Sequence, residues 1–138
     1  MIYKVGMFCK HFKGQKLADK NIYKIIALGV DGDSLDTNQV TYTGDGDLVT
    51  AKNLVVYANI FQNNKLFARE YEDLSSELAP EKQQNFSQTL KVQPLNQQEI
   101  AMISSPDFAK LKARQIKDKF WSVNSLISIV FFLDDAII

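Results

Sequence analysis

The sequence predicts an α+β protein, a small SH3-like, partly open antiparallel β-barrel followed by a helical C-terminal appendage. Three observations predict it. Leu54–Phe61 is a run of strand formers with two largely apolar faces, which marks a central strand covered on both sides. Short β-prone runs bounded by Gly, Asp and Asn lie on either side of it. Beyond residue 74 the chain turns polar and Gln-rich, and helix-capping patterns replace the strand signals.

Residues 1–14 carry Ile2, Val5, Met7, Phe8 and Phe12, and the polar stretch 14–21 reads as a loop. Gly14 fits a backbone turn. Ile22–Val30 is rich in β-branched residues and reads as a strand. Helix is the rival reading, but Gly29 lies inside the run and Asp31-Gly32-Asp33-Ser34 ends it as a turn. Val40–Thr43 and Leu48–Ala51 flank Gly44-Asp45-Gly46-Asp47, which predicts a hairpin. In Leu54–Phe61, Val56, Ala58 and Ile60 share one face; Val55, Tyr57, Asn59 and Phe61 share the other. Gln62–Lys65 is a turn, and Leu66–Arg69 returns as the partner strand.

Residues 75–86 predict a short helix broken near Pro80. Asn96 and Glu99 form a capping-box pattern that opens a helix running through Ile103. Ser105-Pro106-Asp107 starts another over 105–121, with an apolar stripe of Ala109, Ala113, Ile116 and Phe120. The apolar run 126–133 is too short to span a bilayer, which takes about 20 residues. It is expected to be buried, against the barrel or against a second copy in a homodimer held by the C-terminal segment. The expected organisation is a β-domain over 1–74 and an appendage over 75–138.

Net charge is zero, so no whole-chain basic field for nucleic acid exists. The charge is uneven: residues 1–30 carry +5, residues 31–79 carry −6 and residues 80–138 carry +1. Cys9 is the single cysteine, which excludes an intrachain disulfide and a Cys-based metal cluster. The start lacks a secretory pattern, and a cytoplasmic setting is expected. The Asp-Gly turns at 31–34 and 44–47 fail the calcium-loop rule, because Leu35 and Val49 stand at the fifth positions. One His excludes a two-His metal site. No phosphate-cradling glycine loop or nucleophile elbow appears, and no cofactor is expected. A Cys9–His11 thiol–imidazole pair is the one dyad that chain proximity offers, and a small buried Cys is the commoner outcome.

Gly6, Phe8, His11-Phe12-Lys13-Gly14, Tyr23, Val55-Val56-Tyr57, and Phe67 with Arg69 form a further pattern. It resembles a small bacterial family catalogued as domain of unknown function number 1653, over residues 6–74. Phe67 stands where that family usually has Trp, and Glu70 where it has Pro. The family's short turn is replaced by the longer stretch Asp31–Lys52. The resemblance implies a strand-rich domain and no activity.

The expected function is a non-enzymatic binding module. His11, Lys13, Tyr23, Tyr57 and Arg69 are its candidate ligand-binding residues, for an anionic or peptide ligand or a protein partner. One alternative is nucleic-acid binding through the Lys-rich start, with Phe8, Phe12 and Tyr23 as stacking groups. Another is an enzyme of unspecified class using His11.

Overall fold

The computed structural model describes residues 2–15, 22–104 and Pro106. Within these residues six strands form one sheet: β1 (Phe8–His11), β2 (Ile22–Val30), β3 (Val40–Tyr42), β4 (Leu54–Asn59), β5 (Lys65–Glu70) and β6 (Val92–Pro94). The strand order is β3-β5-β4-β2-β1-β6. Every neighbouring pair is antiparallel except β3 and β5, which run parallel. Three short helices follow β5: α1 (Tyr71–Leu74), α2 (Pro80–Phe86) and α3 (Gln97–Ile103). The class is α+β, as expected.

β4 is buried along its whole length because both faces are covered. Leu54 and Val56 pack with Ala68 against Val30, Leu35, Val40 and Leu48. Val55 and Tyr57 pack on the opposite side with Tyr3, Cys9, Tyr23, Ile25, Leu74 and Val92. The β4–β5 turn closes through Asn63 and Asn64, both at positive φ, which Asn tolerates better than most residues. Register shifts in β2 between Ile25, Ala27 and Val30 move Ala27 and Val30 onto the Leu54 face. Gly29, at φ 64, supplies the backbone conformation for that irregular stretch.

Three expectations change. The sheet is not closed into a barrel, and it is mixed rather than wholly antiparallel. Its two outer strands, β3 and β6, lie at opposite edges and have three residues each. Pro94 takes one ladder donor out of β6. The expected hairpin over 40–51 is also absent. β3 pairs with β5 instead, and Leu48–Thr50 forms a 3-10 turn capped by Asp47, whose side chain accepts from the Val49 N–H. Gly32 makes that packing feasible: a Cβ there would strike the Leu48 carbonyl.

The sheet takes its sixth strand from beyond residue 74. His11 of β1 pairs with Val92 of β6 across the sequence. The Tyr3 hydroxyl donates to the Val92 carbonyl at 2.6 Å. α2 begins at Pro80, which occupies the first turn where its missing N–H costs nothing. α3 carries the expected capping box, with Asn96 and Glu99 each bonding the other's backbone N–H. Glu99 also pairs with Lys10 at 2.9 Å, which ties α3 to β1. Except for Pro106, the predicted helix over 105–121 and the apolar tail 122–138 lie outside the described residues. Among the described residues no helix is long and apolar enough to cross a membrane.

Candidate functional site

A row of aromatic rings crosses the sheet on the Tyr57 face. Tyr57 and Phe67 are register partners in β4 and β5, so their rings stack with centroids 5.8 Å apart. Tyr23 of β2 pairs with Asn59, one diagonal step from Tyr57, and its ring lies 4.4 Å from the Tyr57 ring. His11 of β1 meets the edge of Tyr23 at 6.2 Å and stacks on Phe12 at 4.8 Å. Phe86 of α2 then meets Phe12 edge-on at 5.5 Å. Cations sit on both ends: Lys65 over Phe67, and Lys13 and Lys82 over Phe12.

Most of this face is covered. Tyr3 and Leu74 pack against the part built by Cys9, Ile25, Val55 and Val92. Beside it a cleft of about 200 Å³ is lined by Tyr23, Tyr57, Phe67, Thr43, Asn59 and Gln62. Three are aromatic and three are uncharged hydrogen-bonding groups. Tyr57 bonds the Thr43 side chain. Burial pushes the Tyr57 phenol above its ordinary value, while the Thr43 bond and the Arg69 charge act the other way. Tyr57 is therefore a neutral hydroxyl at physiological pH. Asn59 is anchored by its turn, its Oδ1 accepting the Phe61 N–H at 3.0 Å.

Of the five residues that the sequence proposes, the structure places Tyr23 and Tyr57 in the cleft. His11 joins the same aromatic row without lining the cleft, and its Nδ1 accepts the Lys13 backbone N–H at 3.1 Å. Lys13 is exposed, over Phe12 at the far end of the row. Arg69 pairs with Asp73, which also holds Lys91 at 3.1 Å. These three charged groups line a different cleft, of about 480 Å³, together with Asp45, Glu70 and Glu72. Sequence reading missed Thr43, Asn59, Gln62 and Phe67 as site residues. Strand alternation already puts Asn59 on the Tyr57 face, and Phe67 is one turn-closing step away. Thr43 carries no such local signal, because it arrives through the parallel β3–β5 pairing.

The thiol of Cys9 has no room for catalysis. It is fully buried, and burial pushes its pKa up to about 12, so it is a neutral thiol and a poor nucleophile. Of the stacking groups offered by the sequence, Phe12 and Tyr23 are 6% and 8% exposed, and Phe8 is half-buried with Lys24 over its ring. Among the described residues no group of three or more His, Cys, Asp or Glu side chains converges on a point that could hold a metal ion. Compared with known proteins, the chain matches no family model, no curated protein and no solved structure.

Proposed function

We propose that the protein is a non-enzymatic binding module whose site for an anionic or peptide ligand is the cleft over Tyr57 and Phe67. The single observation that carries this is the composition of the cleft: three aromatic rings and three neutral polar side chains around about 200 Å³ of open space. Such a lining holds an apolar group by its surface and orients it by hydrogen bonds. Lys65, over the Phe67 ring, supplies the nearby positive charge that an anionic group would meet. In this reading the sheet works as small SH3-like folds do, through an aromatic strand face and its adjoining loops. A cytoplasmic setting belongs to the same reading, as does a homodimer through residues 122–138.

The test is amide chemical-shift mapping of the 15N-labelled full chain against a panel of aryl carboxylates, phosphate and short peptides. The expected result is that shifts gather at Tyr23, Thr43, Tyr57, Asn59, Gln62 and Phe67, and that Phe67→Ala weakens them. Shifts that cluster elsewhere, or survive Phe67→Ala unchanged, refute the proposal.

A further inference from the structure

The cleft is smaller than the roughly 300–1,000 Å³ that enclose a drug-sized ligand, so it has room for one side chain rather than a whole cofactor. It also lies beside an open sheet edge. Among the described residues β3 pairs only with β5. The Thr43 N–H points to β5, where the Ala68 carbonyl accepts it at 3.0 Å. By the alternation of a ladder, Val40 and Tyr42 turn toward the outer edge; the Val40 N–H is taken by the Asp36 carbonyl at 2.9 Å, which leaves the N–H and C=O of Tyr42 for a guest. Thr41 is the register partner of Phe67, so Thr41 and Thr43 share its face. Both are small, and they leave the Phe67 ring within reach of a long side chain coming over β3.

Charge narrows the occupant. Lys65 is exposed, its Nζ lies 5.3 Å from the Phe67 ring centroid, and among the described residues it has no carboxylate partner. Arg69, on the same face of β5, is already held by Asp73. Lys65 and Phe67 are two residues apart, and same-face side chains two apart on any strand are separated by about 6.6–6.8 Å. A guest strand with an aromatic residue and an acid two positions away repeats that spacing. We infer that the cleft receives one aromatic side chain of an extended acidic peptide, which pairs with the Tyr42 N–H and C=O at the outer edge of β3 and sets its acid near Lys65. This rests on reading the cleft as the binding site. The mode is strand addition, with main-chain bonds giving affinity and one pocket giving specificity.

The test uses the full chain and a fluorescein-labelled probe of sequence Thr-Glu-Thr-Phe-Thr-Glu-Thr with amidated C-terminus, read by anisotropy. Acids on both sides of the Phe make the probe indifferent to strand direction. Replacing its Phe by Ala is expected to abolish measurable binding. Replacing both Glu by Lys is expected to weaken binding roughly two- to five-fold, the scale of an exposed ion pair. Lys65→Glu, on an exposed side chain, is expected to reverse that preference while leaving the amide spectrum folded. Equal binding of the Glu and Lys probes, or equal binding of the Phe and Ala probes, overturns the inference. 3-Phenylpropanoate separates the two levels of failure. If it shifts the cleft amides while no peptide binds, the cleft remains a binding site and strand addition is wrong. If neither shifts them, both readings fall.

Discussion

Gln88→Leu is the most informative perturbation of the fold. Gln88 is 3% exposed, and its Nε2 faces three carbonyls: Lys10 at 3.1 Å, Leu90 at 2.8 Å and Lys91 at 3.2 Å. The side chain thus bridges β1 and the approach to β6. Leu fills similar space but donates nothing. The Lys91 carbonyl keeps a partner, since it also accepts the Phe12 N–H at 2.9 Å. The Lys10 carbonyl likewise keeps its ladder partner, the Gln93 N–H, so the Leu90 carbonyl is the one that loses its donor in a dry setting, at about 1–3 kcal/mol. Against this, Gln88 Oε1 is buried with no hydrogen-bond partner, so deleting it recovers part of that cost. The net expectation is a loss of about 1–3 kcal/mol. For a domain of this size that lowers Tm by roughly 3–12 °C. Gln88→Glu sharpens the test. A carboxyl placed among carbonyl oxygens out of water has its pKa raised above the unfolded value of about 4.3. Its folded form is then favoured protonated, so the variant is relatively intact below about pH 4 and loses stability as pH rises. Circular-dichroism melts of wild type and both variants at pH 4, 6 and 8 measure this. A Leu variant melting with the wild type, or a Glu variant whose deficit does not grow with pH, refutes the assignment of Gln88 as a dry clamp.

Other perturbations test separate parts of the fold. Gly32→Ala drives a Cβ into the Leu48 carbonyl, and it is expected to lower stability by about 2 kcal/mol or more in urea titration. Tyr3→Phe removes a buried donor from the Val92 carbonyl and is expected to cost about 1–2 kcal/mol by the same measurement. Native Cys9 is expected to resist iodoacetamide at pH 8 and to react at once in guanidinium, by mass spectrometry. Because its folded pKa is raised from 9.0 to about 12, its contribution to stability is complete below about pH 9 and is lost as pH climbs through that window.

What the sequence disclosed was local. β4 announced itself because both of its faces are apolar, and the Asn96–Glu99 box announced α3 because capping is written within four residues. β3 could not be placed the same way. Val40–Thr43 looks like half of a hairpin, and only long-range pairing with β5 shows that its partner is not the next β-prone run. Asp47, which looks like a turn residue, caps a 3-10 turn instead. β6 was hidden by its length: Val92-Gln93-Pro94 has no periodicity to read. The site divides similarly. Tyr23 and Tyr57 sit on predicted strands and emerge together, whereas Thr43 and Gln62 come from segments whose approach is set by topology. Arg69 stands out in the sequence as a polar group on a predicted strand, but Asp73, four residues on in α1, holds it in the other cleft.

The pairing of β1 with β6 has a consequence for synthesis. When residues 8–70 have left the ribosome, five of the six strands exist, yet β1 still shows a bare edge. Cys9, Val55 and the underside of Tyr3 wait for Leu74 and Val92, the last of which lies 83 residues after Cys9. A nascent chain stalled before Val92 therefore presents an unpaired strand next to an open apolar surface, the combination that templates aggregation. Ribosome-stalled chains extended by a linker, so that residues 92–95 lie either just inside or just outside the exit tunnel, should differ sharply in chaperone capture and protease resistance, although they differ in length by only a few residues. The tenth decade of the chain is what pairs the bare edge of β1 and closes the apolar surface beside it.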